Sequence, residues 1–170
     1  DSFNIMVNPE KPIPQKIVEL TGITDAMVAD APKDDEALKK FMEFCGENAV
    51  LAAHNARFDD SFIQAACNRH GIKFEYTLID TLVLCQCMLP EMGRHKLNLV
   101  AKQLKLGKFD HHRASDDARM LAKIYIERVG RLIKEKKLTT LDELNTKSGS
   151  IDVKKLKSYH QIILARNQAG

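Results

Sequence analysis

The stretch AVLAAHNARFD, residues 49–59, decides the fold class of this chain. Its apolar run Ala49–Ala53 is typical of a buried strand, and His54-Asn55 ends that strand. A helix is predicted next, from about Phe58 to His70, because apolar residues recur there at helical spacing and Gly71 supplies a C-terminal stop. Four apolar side chains of this helix are expected to face inward: Phe62, Ile63, Ala66 and Cys67.

The order of strand, turn and helix repeats directly downstream. Tyr76–Ile79 predicts a second strand, which leads through Asp80-Thr81 into an apolar helix that Pro90 ends. Strands that alternate with helices favour an α/β layer with at least one parallel strand pair. Further elements are expected around this pair: a strand over Phe3–Val7, a helical turn from Pro14 through Leu20, a helix that Asp34 caps, a short helix before Gly107, a long helix from about Ala114 into Ile133, and a last amphipathic helix over Ile151–Ala165.

Length and composition are those of a globular domain. The chain has 170 residues, of which 44% are hydrophobic and 29% are charged, and this suffices for one domain with a substantial core. No apolar run approaches the roughly 20 residues that span a bilayer, so we expect a cytoplasmic protein without a membrane partner. The cysteines at 45, 67, 85 and 87 fall mostly on apolar faces without a C-x-x-C pair, which favours reduced core thiols over zinc ligands or disulfides.

Charge is distributed unevenly along the chain. The net charge is +3, yet residues 131–170 hold nine Lys/Arg against four Asp/Glu and are therefore +5, which leaves −2 for the first 130 residues. A basic tail can attract phosphate backbones, but a lysine-rich stretch is more often a solvated helix face. Composition alone therefore does not make the first 130 residues a nucleic-acid platform.

Two short blocks carry the candidate chemistry, residues 54–59 and residues 112–117. Asp59 and Asp117 each fall in the first turn of a predicted helix, where the helix dipole favours a carboxylate. Carboxylates held on separate elements bind Mg²⁺ or Mn²⁺, because these hard cations prefer oxygen ligands. His112, on the polar loop before its helix, can take a proton from metal-bound water. The combination predicts metal-dependent phosphodiester hydrolysis.

Each of these residues also has a purely structural interpretation. Asp59 can cap its helix, as Asp60 can, and the block around His112 can be a surface loop with a helix cap. A histidine at a strand end is more often a structural hydrogen bonder than a catalyst, and this is the leading interpretation of His54. For Asp80, an N-cap of the following helix is the preferred role.

Together these motifs resemble the DnaQ-like, or DEDDh, 3′–5′ exonucleases, and most closely the proofreading domain of PolC-type bacterial DNA polymerases III. The similarity covers about residues 1–135 and rests on the order and spacing of several motifs. They are Ala53–Asp59 (AHNARFD), Ile79–Leu82 (IDTL), His111–Asp117 (HHRASDD), and Pro12–Pro32, which contains Leu20–Thr24 (LTGIT). The resemblance implies an RNase H-like α/β fold, in which helices flank a mixed sheet.

The resemblance also implies a role for each matching residue. Asp59 and Asp117 match the carboxylates of the second and third motifs and would be metal ligands. His112 matches the general base that deprotonates the attacking water. Two Mg²⁺ or Mn²⁺ ions about 3.5–4 Å apart would stabilise the attacking and leaving oxygens as the terminal nucleotide is removed. The implied substrate is a DNA 3′ end, single-stranded or at a frayed primer terminus.

The other residues of the second motif would shape the site. His54 and Asn55 would form part of its wall and are the candidate substrate-binding residues. Phe58 would pack the turn of the motif and has a structural role in this interpretation.

One motif of the family does not occur in the sequence. Its Asp-x-Glu belongs upstream of Asp1, and nothing before Asn8 can replace it. We therefore expect the N-terminal strands of the sheet to be missing, the metal site to be incomplete, and the chain alone to hydrolyse DNA poorly. The exonuclease domain is then residues 1–135, followed by a linker over 136–150 and by the start of a PHP-like polymerase region over 151–170. The rest of the polymerase chain is the expected partner.

Three other functions stay open on the sequence alone. A non-catalytic nucleic-acid-binding or interaction domain of the same fold is disfavoured by the intact Asp59, His112 and Asp117. An HD-type phosphohydrolase would need a His-Asp dipeptide, and the sequence contains none. A DEDDh exoribonuclease would share the motifs, but the PHP-like tail favours the polymerase.

Overall fold

The computed structural model describes residues 1–107 and 113–136. These residues form seven helices and two strands, whose bounds are α1 Gln15–Thr21, α2 Asp25–Val28, α3 Asp34–Cys45, β1 Ala49–Ala53, α4 Ala56–His70, β2 Tyr76–Asp80, α5 Thr81–Met88, α6 Leu97–Gln103 and α7 Ala114–Lys136. The alternation of strand and helix from β1 onward confirms the predicted α/β arrangement.

The described chain groups into two compact units. The first unit contains Asp1–Ala49 and Phe58–Glu75, and the second contains Val50–Arg57 together with the described residues from Tyr76 onward. In the second unit β1 and β2 pair side by side and run parallel, as strands joined by a crossover helix do. Their carboxyl ends therefore meet at one edge of the sheet, which is where open α/β sheets place ligands.

Three helices build the core of the second unit. Both α5 and α6 pack against α7. The contact is a cluster of buried side chains, Cys85, Leu89, Val100, Ala101, Met120 and Ile124. Met120 lies three residues after Asp117 and is therefore on the same side of α7. This packing fixes the direction of the helix start that carries Asp117.

An aromatic cluster organises the first unit around α3. The ring of Phe41 lies 6.0 Å from that of Phe3 and 6.1 Å from that of Phe74, while Phe44 stacks on Phe3 at 5.3 Å. The cluster joins the chain start to α3 and to the segment that follows α4.

Asp34 links α3 to the end of α4 and does not cap α3, so the predicted cap is wrong. Lys33 occupies the cap position, and Asp34 is the first helical residue. The Asp34 carboxylate accepts hydrogen bonds from Arg69 Nε at 3.2 Å and from His70 Nε2 at 2.7 Å. The hydrogen bonds from Arg69 are the main reason why the pKa of Asp34 lies below its ordinary value, with His70 contributing and partial burial opposing.

No strand forms over Phe3–Val7, and that prediction is wrong too. In the described residues the sheet consists of β1 and β2, so the alternating segment has no neighbouring strand to pair with. Alternation decides which side chains share a face, but a strand also needs a hydrogen-bonded partner. The segment is held by the aromatic contacts of Phe3 and by Asn8, whose N–H donates to the Pro32 carbonyl at 2.9 Å.

The start of α4 is more exposed than the sequence suggests. Ala66 and Cys67 are buried as predicted, but Phe62 is 63% exposed and packs edge-on against Phe58, which is itself 61% exposed. Helical spacing shows which side chains share a face, but it does not show how far along the helix other residues cover that face. Both the inward placement of Phe62 and the packed placement of Phe58 are therefore wrong.

Helices α1, α5, α6 and α7 match their predictions. α1 ends at Gly22, which adopts the left-handed conformation at φ 72°, and α5 ends before Pro90. The four-residue α2 was not predicted. None of the helices in residues 1–107 and 113–136 has the length and apolar character to cross a bilayer. The structure describes α7 as far as Lys136, and the rest of the predicted linker, the PHP-like region and the predicted helix over Ile151–Ala165 lie outside the described residues.

Candidate active site

The carboxyl ends of β1 and β2 present four polar residues at one edge of the sheet. His54 and Asn55 follow β1, and Asp80 and Thr81 lie where β2 passes into α5. Both strands turn directly into helices here, so backbone N–H groups at the helix starts need acceptors. The Asp80 carboxylate supplies acceptors for three of these N–H groups.

Asp80 joins the starts of two helices. It is only 6% exposed, and its Oδ1 accepts the N–H of Leu82 at 2.8 Å, which confirms the predicted N-cap of α5. The same carboxylate also accepts the N–H of Asn55 and the N–H of Ala56, each at 3.1 Å. One buried carboxylate therefore fixes the first turn of α5 and the turn that leads into α4.

Asn55 has the strained backbone that this turn requires. Its φ is 72°, in the left-handed region that asparagine tolerates better than most residues. The bond from its N–H to Asp80 holds that conformation, while its side chain is exposed at the sheet edge. Asn55 is therefore accessible to a ligand.

His54 uses both ring nitrogens within the protein. Nε2 lies 2.6 Å from the His95 carbonyl oxygen, and Nδ1 lies 3.1 Å from the Thr81 hydroxyl. Burial lowers the pKa of His54 below its ordinary 6.5, although the hydrogen bond to the His95 carbonyl and the charge of Asp80 oppose this effect. These contacts agree with the structural role preferred from the sequence.

Asp59 lies in the first turn of α4, as predicted. Its side chain is exposed, and the dipole of the 15-residue helix favours its negative charge. The exposed Phe58 and Phe62, with ring centroids 5.1 Å apart, lie on the same helix. Asp59 belongs to the first unit.

Asp117 lies in the first turn of α7 in the second unit and is half-buried. Its neighbour Asp116 forms an exposed ion pair with Arg119 at 3.2 Å. The N–H groups of both aspartates donate to the Arg113 carbonyl. His112, the candidate general base, lies outside the described residues.

Comparison with known proteins identifies the family. A family model described as exonuclease matches residues 1–125. The chain belongs to the exonuclease family. The structure of exonuclease X in complex with 5′ overhanging duplex DNA superimposes with a TM-score of 0.59 at 25% identity, covering 79% of this chain and 74% of that one. The predicted exonuclease family and its RNase H-like fold are thereby confirmed.

Segments of much longer proteins match the whole chain. The PolC-type DNA polymerase III of Clostridium perfringens is 45% identical over 171 residues, and that of Caldanaerobacter subterraneus subsp. tengcongensis is 40% identical over 172. That of Bacillus subtilis is 35% identical over 173 residues. Each alignment covers 100% of this chain and 12% of the polymerase, so the chain spans about an eighth of the length of these relatives.

Exonucleases of this kind use divalent metal ions, and the donor chemistry of the predicted ligands suits such ions. Asp59 and Asp117 both offer carboxylate oxygens, which hard cations prefer. In the part of the chain that the structure describes, no three His, Cys, Asp or Glu side chains form a group that could hold a metal ion. The two aspartates fit a metal by type of donor.

Sequence reasoning missed two contacts of this edge. The bond between Asp80 and the start of α4 joins residues 24 apart, and the bond between His54 and the His95 carbonyl joins residues 41 apart. The second ends on a backbone oxygen, which leaves no mark in a sequence. The bond to Asp80 could have been anticipated from the polar turn before α4, because N–H groups at a helix start need an acceptor.

Proposed function

We propose that these residues are the 3′–5′ exonuclease portion of a PolC-type DNA polymerase III and remove the 3′-terminal nucleotide of DNA during proofreading. The observation that carries the proposal is the similarity of the whole chain to the Clostridium perfringens polymerase at 45% identity. The match of residues 1–125 to the exonuclease family supports the reaction type. The partners in this proposal are a DNA 3′ end and the rest of the polymerase chain.

Asp59 and Asp117 are the metal ligands in this proposal, and Mg²⁺ or Mn²⁺ is the ion. Each carboxylate lies in the first turn of a long helix, where the partial positive charge of the helix end favours a carboxylate, and its oxygens are ligands that a hard cation prefers. When bound, the ions supply charge stabilisation for the attacking and leaving oxygens of the phosphodiester.

His112 is the proposed general base and would accept the proton of the attacking water. An imidazole with an ordinary pKa near 6.5 is largely neutral at pH 7 and can accept that proton. The residue precedes Asp117 by five positions, and the start of α7 lies between them, which keeps base and ligand close along the chain.

His54 and Asn55 are proposed to form the wall of the site. The exposed side chain of Asn55 can contact the terminal nucleotide. The contribution of His54 is indirect, since its two ring nitrogens already bond Thr81 and His95. We assign direct substrate binding to Asn55.

The test uses a chimera, because the relatives are much longer than this chain. These 170 residues replace the corresponding segment of the Clostridium perfringens polymerase, and the chimera is incubated with 5′-labelled single-stranded DNA and Mg²⁺ or Mn²⁺. Asp59→Asn and Asp117→Asn should each remove nearly all 3′-terminal hydrolysis. Asp60→Asn and Asp116→Asn are matched controls that carry the same change one residue away and should retain activity.

Two results would contradict the proposal. Equal activity of Asp117→Asn and Asp116→Asn would show that the chosen carboxylate is not a ligand. Preferential release of nucleotides from an RNA 3′ end would assign the chain to the exoribonucleases instead. The chain alone is expected to be far slower than the chimera, and rapid hydrolysis by the 170 residues would overturn that expectation.

A further inference from the structure

The edge formed by the ends of β1 and β2 connects the starts of three helices. Asp80 binds backbone N–H groups at the starts of α4 and α5. His54 reaches a third helix, because it bonds the carbonyl of His95, and the next residue, Lys96, is the N-cap of α6. His54 is thus the connection between the strand ends and α6.

We propose that His54 is a positioning residue of the exonuclease, which ties the α5–α6 connection to the end of β1 and so orients α6 and the helix that carries Asp117. This inference rests on the proposed function. It gives His54 a role other than proton transfer or contact with DNA.

The hydrogen bonds define the protonation of the ring. A carbonyl oxygen only accepts, so His54 Nε2 carries a hydrogen and donates it to His95. In the neutral ring Nδ1 is then an acceptor, and the Thr81 hydroxyl donates to it over 3.1 Å. The same hydroxyl also lies 3.2 Å from the Ala53 carbonyl and can donate there instead. Thr81, fully buried, can therefore satisfy Nδ1 whether the ring is neutral or protonated.

The connection between α5 and α6 is fastened at two points. The backbone of His95 is held by His54, and its side chain donates from Nε2 to the Leu89 carbonyl at 2.9 Å. Leu89 is itself a buried member of the helix core. Both ends of the connection are thus fixed, and a shift of His95 would move the cap of α6.

The movement would reach α7 through the core. Val100 and Ala101 of α6 are almost fully buried against Met120 and Ile124 of α7. Close-packed interiors transmit small displacements instead of absorbing them. Since Asp117 lies one turn from Met120, the position of α6 sets the position of the proposed metal ligand.

Two amide substitutions separate the two nitrogens of His54. The amide of His54→Gln places an N–H near the position of Nε2 and keeps the bond to the His95 carbonyl. The shorter side chain of His54→Asn reaches only the position of Nδ1 and keeps the contact with Thr81. Both variants are neutral and polar, so they differ mainly in which bond survives.

The chimera described above is assayed for kcat and KM on single-stranded DNA. In His54→Asn we expect kcat to fall on the order of 10- to 100-fold, as displaced supporting groups do in enzymes, while KM for DNA stays unchanged because His54 does not touch the substrate. His54→Gln should recover most of the lost rate. Amide hydrogen exchange of the 170-residue chain should show faster exchange over Leu89–Lys105 in His54→Asn alone.

The outcomes distinguish the alternatives. A rise in KM with unchanged kcat would make His54 a substrate-binding residue, and equal losses in both variants would show that the bond to His95 is not the important one. Either result overturns the inference. If Asp117→Asn keeps full activity, the proposed function fails. The hydrogen-exchange comparison then still tests whether the bond between His54 and the His95 carbonyl holds the α5–α6 connection in place.

Discussion

Replacing Asp80 by asparagine should be the most damaging near-isosteric change at the sheet edge. The carboxylate accepts three backbone N–H groups, two on Oδ1 and that of Ala56 on Oδ2. In Asp80→Asn the amide oxygen can keep the two bonds of Oδ1, so the NH₂ group faces the Ala56 N–H, donor against donor. One hydrogen bond to a charged group is lost and a buried N–H is left without an acceptor.

The number and type of hydrogen bonds that are lost determine the size of this effect. A hydrogen bond to a charged group contributes about 1.5–3 kcal/mol, so Asp80→Asn should lower the free energy of unfolding by about 2–3 kcal/mol. Asp80→Ala removes all three bonds, including the cap of α5, which adds about 1 kcal/mol or more. Its cost should reach about 4 kcal/mol.

Urea unfolding of the 170-residue chain, followed by circular dichroism, measures the difference. The midpoint should fall while the slope m stays unchanged, because the surface exposed on unfolding is the same. Asp116→Asn is the matched control, since it makes the same change at the start of another helix but breaks an exposed ion pair, and it should cost at most about 0.5 kcal/mol. A loss below about 0.5 kcal/mol in Asp80→Asn, or unaltered exchange of the Ala56 amide, would refute the reasoning.

Three further predictions concern pH and backbone strain. The pKa of His54 is lowered in the folded state, so the stability that depends on its neutral ring is present above pH 6.5 and is lost as the pH falls through the folded pKa. Urea unfolding between pH 8 and 5 should therefore show a weaker dependence of the unfolding free energy on pH in His54→Gln than in the wild type. An equal dependence on pH in both proteins would contradict this. The pKa of Asp34 is also lowered in the folded state, so the wild type should be more stable than Asp34→Asn at pH 7 and should lose this advantage as the pH falls below 3.8. Urea unfolding of both proteins at pH 7 and below pH 3.8 tests this. Gly71→Ala should lower the free energy of unfolding by about 1 kcal/mol, because Gly71 has a φ of 62°. Gly93 has open space around it and no positive φ, so Gly93→Ala should change the free energy of unfolding by less than half as much.

Local patterns predicted most of the fold because the corresponding elements depend on neighbours in the sequence. The boundary at Gly71 follows from the left-handed conformation that glycine adopts readily, and the cap by Asp80 follows from its place just before a helix. The first turns that hold Asp59 and Asp117 were predicted for the same reason. Each of these features depends on residues that lie within about four positions of it in the sequence.

The errors arose where a partner distant in sequence decides the outcome. Phe3–Val7 has the alternation of a strand, but among the described residues there is no strand for it to pair with. The sequence favours Asp34 as a cap, but Lys33 occupies that position, and the Asp34 carboxylate bonds Arg69 and His70 instead. A sequence pattern records what a residue can do, and the partners that tertiary structure brings near determine which contact forms.

The spacing of the contacts in the second unit has a consequence for the order of folding. The bond between Asp80 and Ala56 joins residues 24 apart, whereas the bond between His54 and the His95 carbonyl joins residues 41 apart. Loop-closure entropy grows with loop length, so the Asp80 bond should form before the His54 bond. Opening would follow the reverse order, with the bond to His95 breaking at a lower free energy than global unfolding. The contact that we propose to position the helix of Asp117 would then be among the first to be lost.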